Sequence, residues 1–140
     1  MAGAVSAETQ EPFAPKIHYL LPHTHTLATG FFARVLGGPS DGAPLLDLGS
    51  FDGEAHGKAF DTPADLAGAS GIEIACQYTN PRDETVGWGF GSEEMCELFG
   101  FAEGTPFFQA RVNAGAFTGT VDGVERFQGP CVTEQISDDD

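Results

Sequence analysis

Positive charge is scarce in this sequence. Six lysines and arginines stand against 21 aspartates and glutamates, a net charge of −15. Nucleic-acid binders displace condensed counterions with Lys and Arg, and anionic membrane surfaces attract basic segments, so neither is expected as a partner. The acidic surface instead favours solubility and draws cations. Long apolar runs are missing too. None nears the roughly 18 consecutive apolar residues of a membrane-spanning helix, so no membrane insertion is expected. The opening "MAGAVSAETQEPFAPK" has neither the basic region nor the apolar stretch of a secretory signal. It reads as the start of a cytoplasmic chain, or of a mature or excised domain behind a new Met1. Three cysteines, four histidines and two methionines leave few side chains for metal or redox chemistry.

What the sequence does have is turn-forming residues and phenylalanine. Nineteen glycines and nine prolines make up one fifth of the chain, below the share that signals low complexity. At 140 residues one domain is expected, over 16–135, with a flexible lead-in at 1–15 and an acidic tail at 136–140. Strands are expected at 17–21, 31–36, 45–48 and 71–80, with "GGPSDG" (37–42) turning the second into the third. Residues 51–71 read as loop-rich, with short strands at best. In 71–80 the alternation puts Ile72, Ile74, Cys76 and Tyr78 on one face and Glu73, Ala75 and Gln77 on the other. "SEEMCELFGF" (92–101) gives a strand or irregular segment, and "PFFQARVNAGAF" and "GTVDGVERF" two or three more. Short strands separated by turns predict an all-β fold, an antiparallel β-sandwich or barrel.

Within this pattern the stretch "HYLLPHTHTLATGFF" (18–32) stands out. On a strand, positions i and i+2 share a face, so His23 and His25 would stand side by side. Met95 and Cys96 would point to opposite faces, so an inward Cys96 leaves Met95 outward, where its sulfur could meet both imidazoles. Two imidazoles and a thioether form a neutral, soft set that suits Cu(I), whereas zinc sites use His, thiolate or carboxylate. The plainer reading makes Met95 core filler and the histidines surface residues. A zinc site would need His56 as third ligand, and His18, five residues before His23, falls by parity on the opposite face. Glu93 and Glu94 could hold a ligand His N–H or stand as solvated charges. "GWGFG" (87–91) reads as a loop letting backbone approach the site, with Trp88 packed at the sheet edge.

Taken together, "LLPHTHTLATGFF", "IACQYTN" and "WGFGSEEMC" resemble the C-terminal catalytic domain of the type II copper, ascorbate-dependent monooxygenases. This is the family of dopamine β-hydroxylase and peptidylglycine α-hydroxylating monooxygenase, and the resemblance runs from about His18 to about Phe101. It implies a jelly-roll β-sandwich and one copper ion, Cu(I)/Cu(II), held by His23, His25 and Met95. It also implies a disulfide between Cys76 and Cys96, hydroxylation of a C–H bond with O2, and ascorbate as possible electron donor. The disulfide in turn implies a secreted, periplasmic or cell-surface location.

The departures from the family pattern shape the other expectations. The family has a second, electron-supplying copper held by three histidines, for which only His18 and His56 remain. A second copper domain, a partner chain or an external reductant is therefore expected, or else a non-catalytic copper-binding or structural role. The peptide-hydroxylating members bind a substrate carboxylate with an Arg, an Asn and a Tyr. Leu21, Glu97 and Phe99 occupy those positions here, so any small-molecule substrate is not expected to be a peptide carboxylate. Residues 1–22 contain no cysteine, so Cys131 is expected to be free, intermolecular, or the partner of a cysteine beyond this sequence.

Overall fold

The computed structural model describes residues 12–51, 56–104, 108–112, 115–129 and 131–135. Most of the expected lead-in and the whole acidic tail lie outside them. Among the described residues all regular structure is β, in ten strands: β1 (Lys16–His23), β2 (Ala28–Leu36), β3 (Pro44–Leu48), β4 (Lys58–Asp65), β5 (Gly71–Tyr78), β6 (Glu97–Glu103), β7 (Phe108–Val112), β8 (Ala116–Val121), β9 (Val124–Gln128) and β10 (Cys131–Gln135). They form antiparallel sheets, none closed into a barrel: two of three strands, ordered β4-β1-β6 and β3-β2-β5, and two of two strands, β7 with β10 and β8 with β9. No described helix is long and apolar enough to cross a membrane.

The chain divides into two compact units. The larger, Ala14–Thr105, holds β1 to β6. The smaller takes Met1–Phe13 with Pro106–Asp140 and holds β7 to β10. In the larger unit β1 and β2 are the central strands of their sheets, and their alternation of apolar and polar residues places Ile17, Leu20, Phe31, Ala33 and Val35 in the core with Leu45, Leu46 and Leu66. Burial of a side chain of Leu or Phe size contributes about 2 kcal/mol. The glycine-rich turn works as its sequence suggests: Gly37 and Gly38 take left-handed backbone angles (φ 73° and 72°). The hairpin closes through Gly42 N–H to Val35 O and Val35 N–H to Ala43 O, both 2.9 Å.

Two findings depart from the sequence reading. Residues 58–65, expected as loop-rich with short strands at best, form the eight-residue strand β4, which pairs with β1. Pro63 and the charged residues around it disguise the strand. Pro63 is tolerated because β4 is an edge strand and Pro63 falls in its register break, between Ala59 and Ala64, where no residue of β1 pairs with it. The second is a break in β1. Its register with both β4 and β6 shifts between Ile17 and Tyr19, so inward-facing Ile17 is followed by Leu20, Pro22 and Thr24 rather than by residue 19. The bulge at His18 inverts the parity of everything after it. His18 thus shares the outer side with His23, contrary to the simple count. It packs on Phe101, ring centroids 5.7 Å apart, with Nε2 3.6 Å from the Glu103 carboxylate.

Candidate metal centre

The stretch with the paired histidines is where the chain leaves one sheet for the other. β1 ends at His23, Thr26–Leu27 turn, and β2 begins at Ala28. The His23 and His25 rings are brought together at 5.4 Å between centroids, nearly perpendicular. Their surroundings come from the segment leading into β6. The His25 Nδ1 lies 2.7 Å from the Glu93 carbonyl oxygen. A carbonyl can only accept, so Nδ1 carries the proton and, in the neutral ring, Nε2 keeps its lone pair. That arrangement of a backbone carbonyl behind one ring nitrogen is common for metal-binding imidazoles.

Glu94 does the remaining tethering. Only 7% exposed, its carboxylate accepts the backbone N–H of His25 (2.9 Å) and of Leu27 (2.7 Å). Both expected roles for this acidic pair therefore need amending. Glu93 meets the ring through its carbonyl and not its carboxylate, which instead takes the Gly87 N–H. Glu94 holds backbone and not imidazole, and it is buried rather than solvated. Sequence reading could not supply these partners, because they lie 67 to 69 residues away and are backbone groups.

Met95 follows directly. It precedes β6 instead of lying within a strand, and it is 4% exposed, where strand parity had pointed it outward. Its backbone carbonyl accepts the Tyr78 hydroxyl. Next to it Cys96 is disulfide-bonded to Cys76, Cα atoms 5.9 Å apart. Tyr78 and Cys76 both sit near the end of β5, and the Thr79 N–H reaches the Leu27 carbonyl at 2.9 Å. Four chain segments are thus knotted together by side-chain bonds and one cystine. Burial raises the Tyr78 hydroxyl above its ordinary range, and the Glu94 charge adds to the rise. Thr24, between the two histidines, is buried, and its hydroxyl has no hydrogen-bond partner among the described residues.

Among the described residues no three His, Cys, Asp or Glu side chains cluster as a metal-binding group. His56, the third ligand of the zinc alternative, sets its ring edge-on to Phe51, centroids 6.2 Å apart. A metal at the histidine pair would have two neutral imidazoles, and the segment tied to them carries the thioether of Met95. Such a set suits a soft, low-charge ion. Trp88, expected at the sheet edge, is 70% exposed on a loop whose Gly89 N–H and Gly87 carbonyl bond the Glu94 backbone at 3.1 and 3.0 Å. Cys131 opens β10 opposite Val112; its thiol lies outside the described side chains.

Compared with family models, characterised proteins and solved structures, the chain matches none.

Proposed function

We propose that this protein is a copper-binding domain resembling the oxygen-activating domain of the ascorbate-dependent copper monooxygenases. In this reading His23, His25 and Met95 hold one copper ion, and the two three-stranded sheets are the halves of a jelly-roll sandwich. Copper bound there would supply one-electron redox chemistry and activation of O2 for C–H hydroxylation. The residues do the rest. The Glu93 carbonyl fixes the tautomer of His25, the Glu94 carboxylate fixes the His25–Leu27 backbone, and the Cys76–Cys96 bridge fixes the chain on the far side of Met95. The observation that carries the reading is the His25 ring, held at 2.7 Å by a backbone carbonyl beside a second imidazole. A histidine placed only for solubility needs no such fixing. The disulfide is compatible with an extracellular location, and we read the protein as secreted, periplasmic or at the cell surface.

A non-catalytic copper-binding module is the second reading. It is favoured by the engagement of the other two histidines, His18 with Phe101 and Glu103 and His56 with Phe51. Any electron-supplying second copper would then come from another domain or chain, or ascorbate would reduce the site directly. Competition with a chromogenic Cu(I) chelator tests the ligand set. Met95→Ile should weaken Cu(I) binding at least tenfold with little change in Cu(II), because loss of the thioether removes the soft donor; undiminished Cu(I) affinity would remove Met95 from the set. Oxygen uptake with ascorbate then separates the readings. Stoichiometric substrate hydroxylation supports the enzyme, and uncoupled peroxide release supports the binding module.

A further inference from the structure

The glycine-rich loop at 87–91 and the acidic pair after it close a small knot behind His25. Gly87 is gripped at both of its backbone groups: its N–H donates to the Glu93 carboxylate, and its carbonyl accepts the Glu94 N–H at 3.0 Å. The Glu93 carbonyl and the Glu94 N–H belong to one planar trans peptide, so they point in opposite directions. That single peptide unit bonds the His25 Nδ1–H on one side, at 2.7 Å, and Gly87 on the other. Glu93 is engaged throughout, since its own N–H reaches the Phe90 carbonyl at 3.4 Å. Gly89 adds an N–H to the Glu94 carbonyl at 3.1 Å, and the Arg82 guanidinium holds the Ser92 carbonyl from outside the loop. Aromatic packing does not hold this loop, because Trp88 and Phe90 are 70% and 83% exposed. Glycine is needed where the loop runs against Glu93: a Cβ on Gly87 would come within 3.1 Å of the carboxylate Oε2.

We propose that this loop sets the ring of His25, and that Gly87 and the Glu93 carboxylate are positioning groups for that imidazole. The inference rests on the copper reading and adds to it how one ligand is aimed. An unrestrained neutral histidine rotates about its side-chain bonds and exchanges its proton between two ring nitrogens. A carbonyl that holds Nδ1–H removes both freedoms, but only if the carbonyl is itself held. The Glu94 carboxylate fixes the backbone of His25 and Leu27, and the cystine fixes the chain just after Met95. Neither bonds the peptide between Glu93 and Glu94. Gly87 does, and the Glu93 carboxylate keeps Gly87 in place through a charge-assisted bond, stronger than the neutral ones around it. The carboxylate thus acts on His25 through Gly87 and the shared peptide, without touching the ring.

Ring 15N spectra of the metal-free full-length protein test this at a pH of about 8, above the ordinary imidazole pKa of about 6.5. His25 of the wild type should show one tautomer, protonated at Nδ1. Glu93→Ala should raise the Nε2–H population about fivefold, the effect of losing one ordinary hydrogen bond, with the tautomer of His23 unchanged. Glu93→Gln keeps an oxygen for the Gly87 N–H and should restore the single tautomer, which a general loss of stability would not allow. Gly87→Pro removes the donor of the same bond and should reproduce the Glu93→Ala mixture. The double variant should be no worse than either single one, as for two changes acting on one interaction. Cu(I) competition should follow the spectra: about tenfold weaker for Glu93→Ala, the usual scale for a group that orients a ligand, and within about twofold of wild type for Glu93→Gln. Dispersed spectra and an intact Cys76–Cys96 bridge establish that each variant is folded. A single Nδ1–H tautomer in Glu93→Ala would overturn the inference, and so would a mixture that Glu93→Gln leaves unrepaired. Because the spectra need no metal, a wild-type protein that fails to take up Cu(I) would refute the copper reading and leave the tautomer result standing.

Discussion

At the scale of single residues the histidine junction contains two buried polar groups with opposite prospects. Glu94 is fully used: each of its carboxylate oxygens accepts one backbone N–H. Glu94→Gln keeps the shape but turns an NH2 toward one of those donors, so a charge-assisted bond becomes a donor facing a donor. We expect a loss of about 2 kcal/mol in urea unfolding, together with a displaced His25 ring signal; an unchanged midpoint would show that the carboxylate is dispensable. Thr24 is the reverse case, a buried hydroxyl with no partner among the described residues. Thr24→Val keeps the branched shape and removes the unmet polar atom, so stability should rise by about 1 kcal/mol, and a loss in the same assay would reveal a partner for the hydroxyl. Tyr78 brings in pH. Its pKa is raised in the folded protein, so folding favours the neutral phenol. That contribution is present below the unfolded tyrosine pKa of about 10 and is lost as pH rises above it. Tyr78→Phe should flatten the alkaline fall in stability while costing about 1 kcal/mol at neutral pH through the lost bond to the Met95 carbonyl; parallel alkaline curves would refute this. The side-by-side histidines were legible from their spacing alone. The Glu94 tether was not, since the donors it satisfies are backbone groups of a distant turn, and backbone groups leave no mark on the residue sequence.

At the scale of elements, what the sequence reveals depends on where a strand sits in its sheet. The central strands β1 and β2 bury one face each; the alternation shows in β2 at Phe31, Ala33 and Val35, whereas in β1 the break at His18 interrupts it. The hairpin of β2 and β3 is announced by its glycines. Edge strand β4 carries Pro63, which breaks no ladder there but erases the pattern by which strands are recognised. The bulge at His18 is equally silent, because an extra residue on one strand is defined by a register with β6 that lies some eighty residues away. The segment before β6 behaves in the same way: Met95 is buried by tethers from β5 and from the turn after His25, and strand parity has no bearing on a residue outside the strand. The cystine that anchors this segment to β5 closes a loop of 20 residues. In the chain-entropy account such a bridge stabilises by about 3 kcal/mol. Replacing Cys76 and Cys96 together with serine should lower the free energy of unfolding by about that amount. It should also weaken Cu(I) binding even though neither sulfur is a proposed ligand, because the chain beside Met95 is released. Copper affinity unmoved by the double substitution would mean that the Glu94 and Tyr78 tethers hold the segment without help.

On the scale of the whole molecule charge dominates. The all-β character was evident from turn spacing and composition. The division into two units, with four of the ten strands in the smaller one, was not, because no change in composition marks the boundary near residue 105. A net charge of −15 on 140 residues repels itself, and only a few ion pairs offset it. Arg34 with Glu73 is one, and it is solvent-exposed, a class of pair that contributes from nothing to about 1 kcal/mol. Self-repulsion is screened by salt over a Debye length that shrinks from about 30 Å at 0.01 M to about 8 Å at 0.15 M. The exposed ion pairs weaken under the same screening, but they are few beside the unpaired carboxylates. The melting temperature should therefore rise as sodium chloride goes from 0.01 M to 0.15 M, most steeply at the low end, and level off once the Debye length falls below the spacing of neighbouring carboxylates. The same field concentrates cations near the surface, so the apparent association rate of a copper ion should fall over that range while the folded state becomes more stable. Scanning calorimetry and stopped-flow metal uptake across one salt series read the two trends together. A melting temperature that falls with added salt would show that local ion pairing, and not net repulsion, sets the electrostatic balance of this fold.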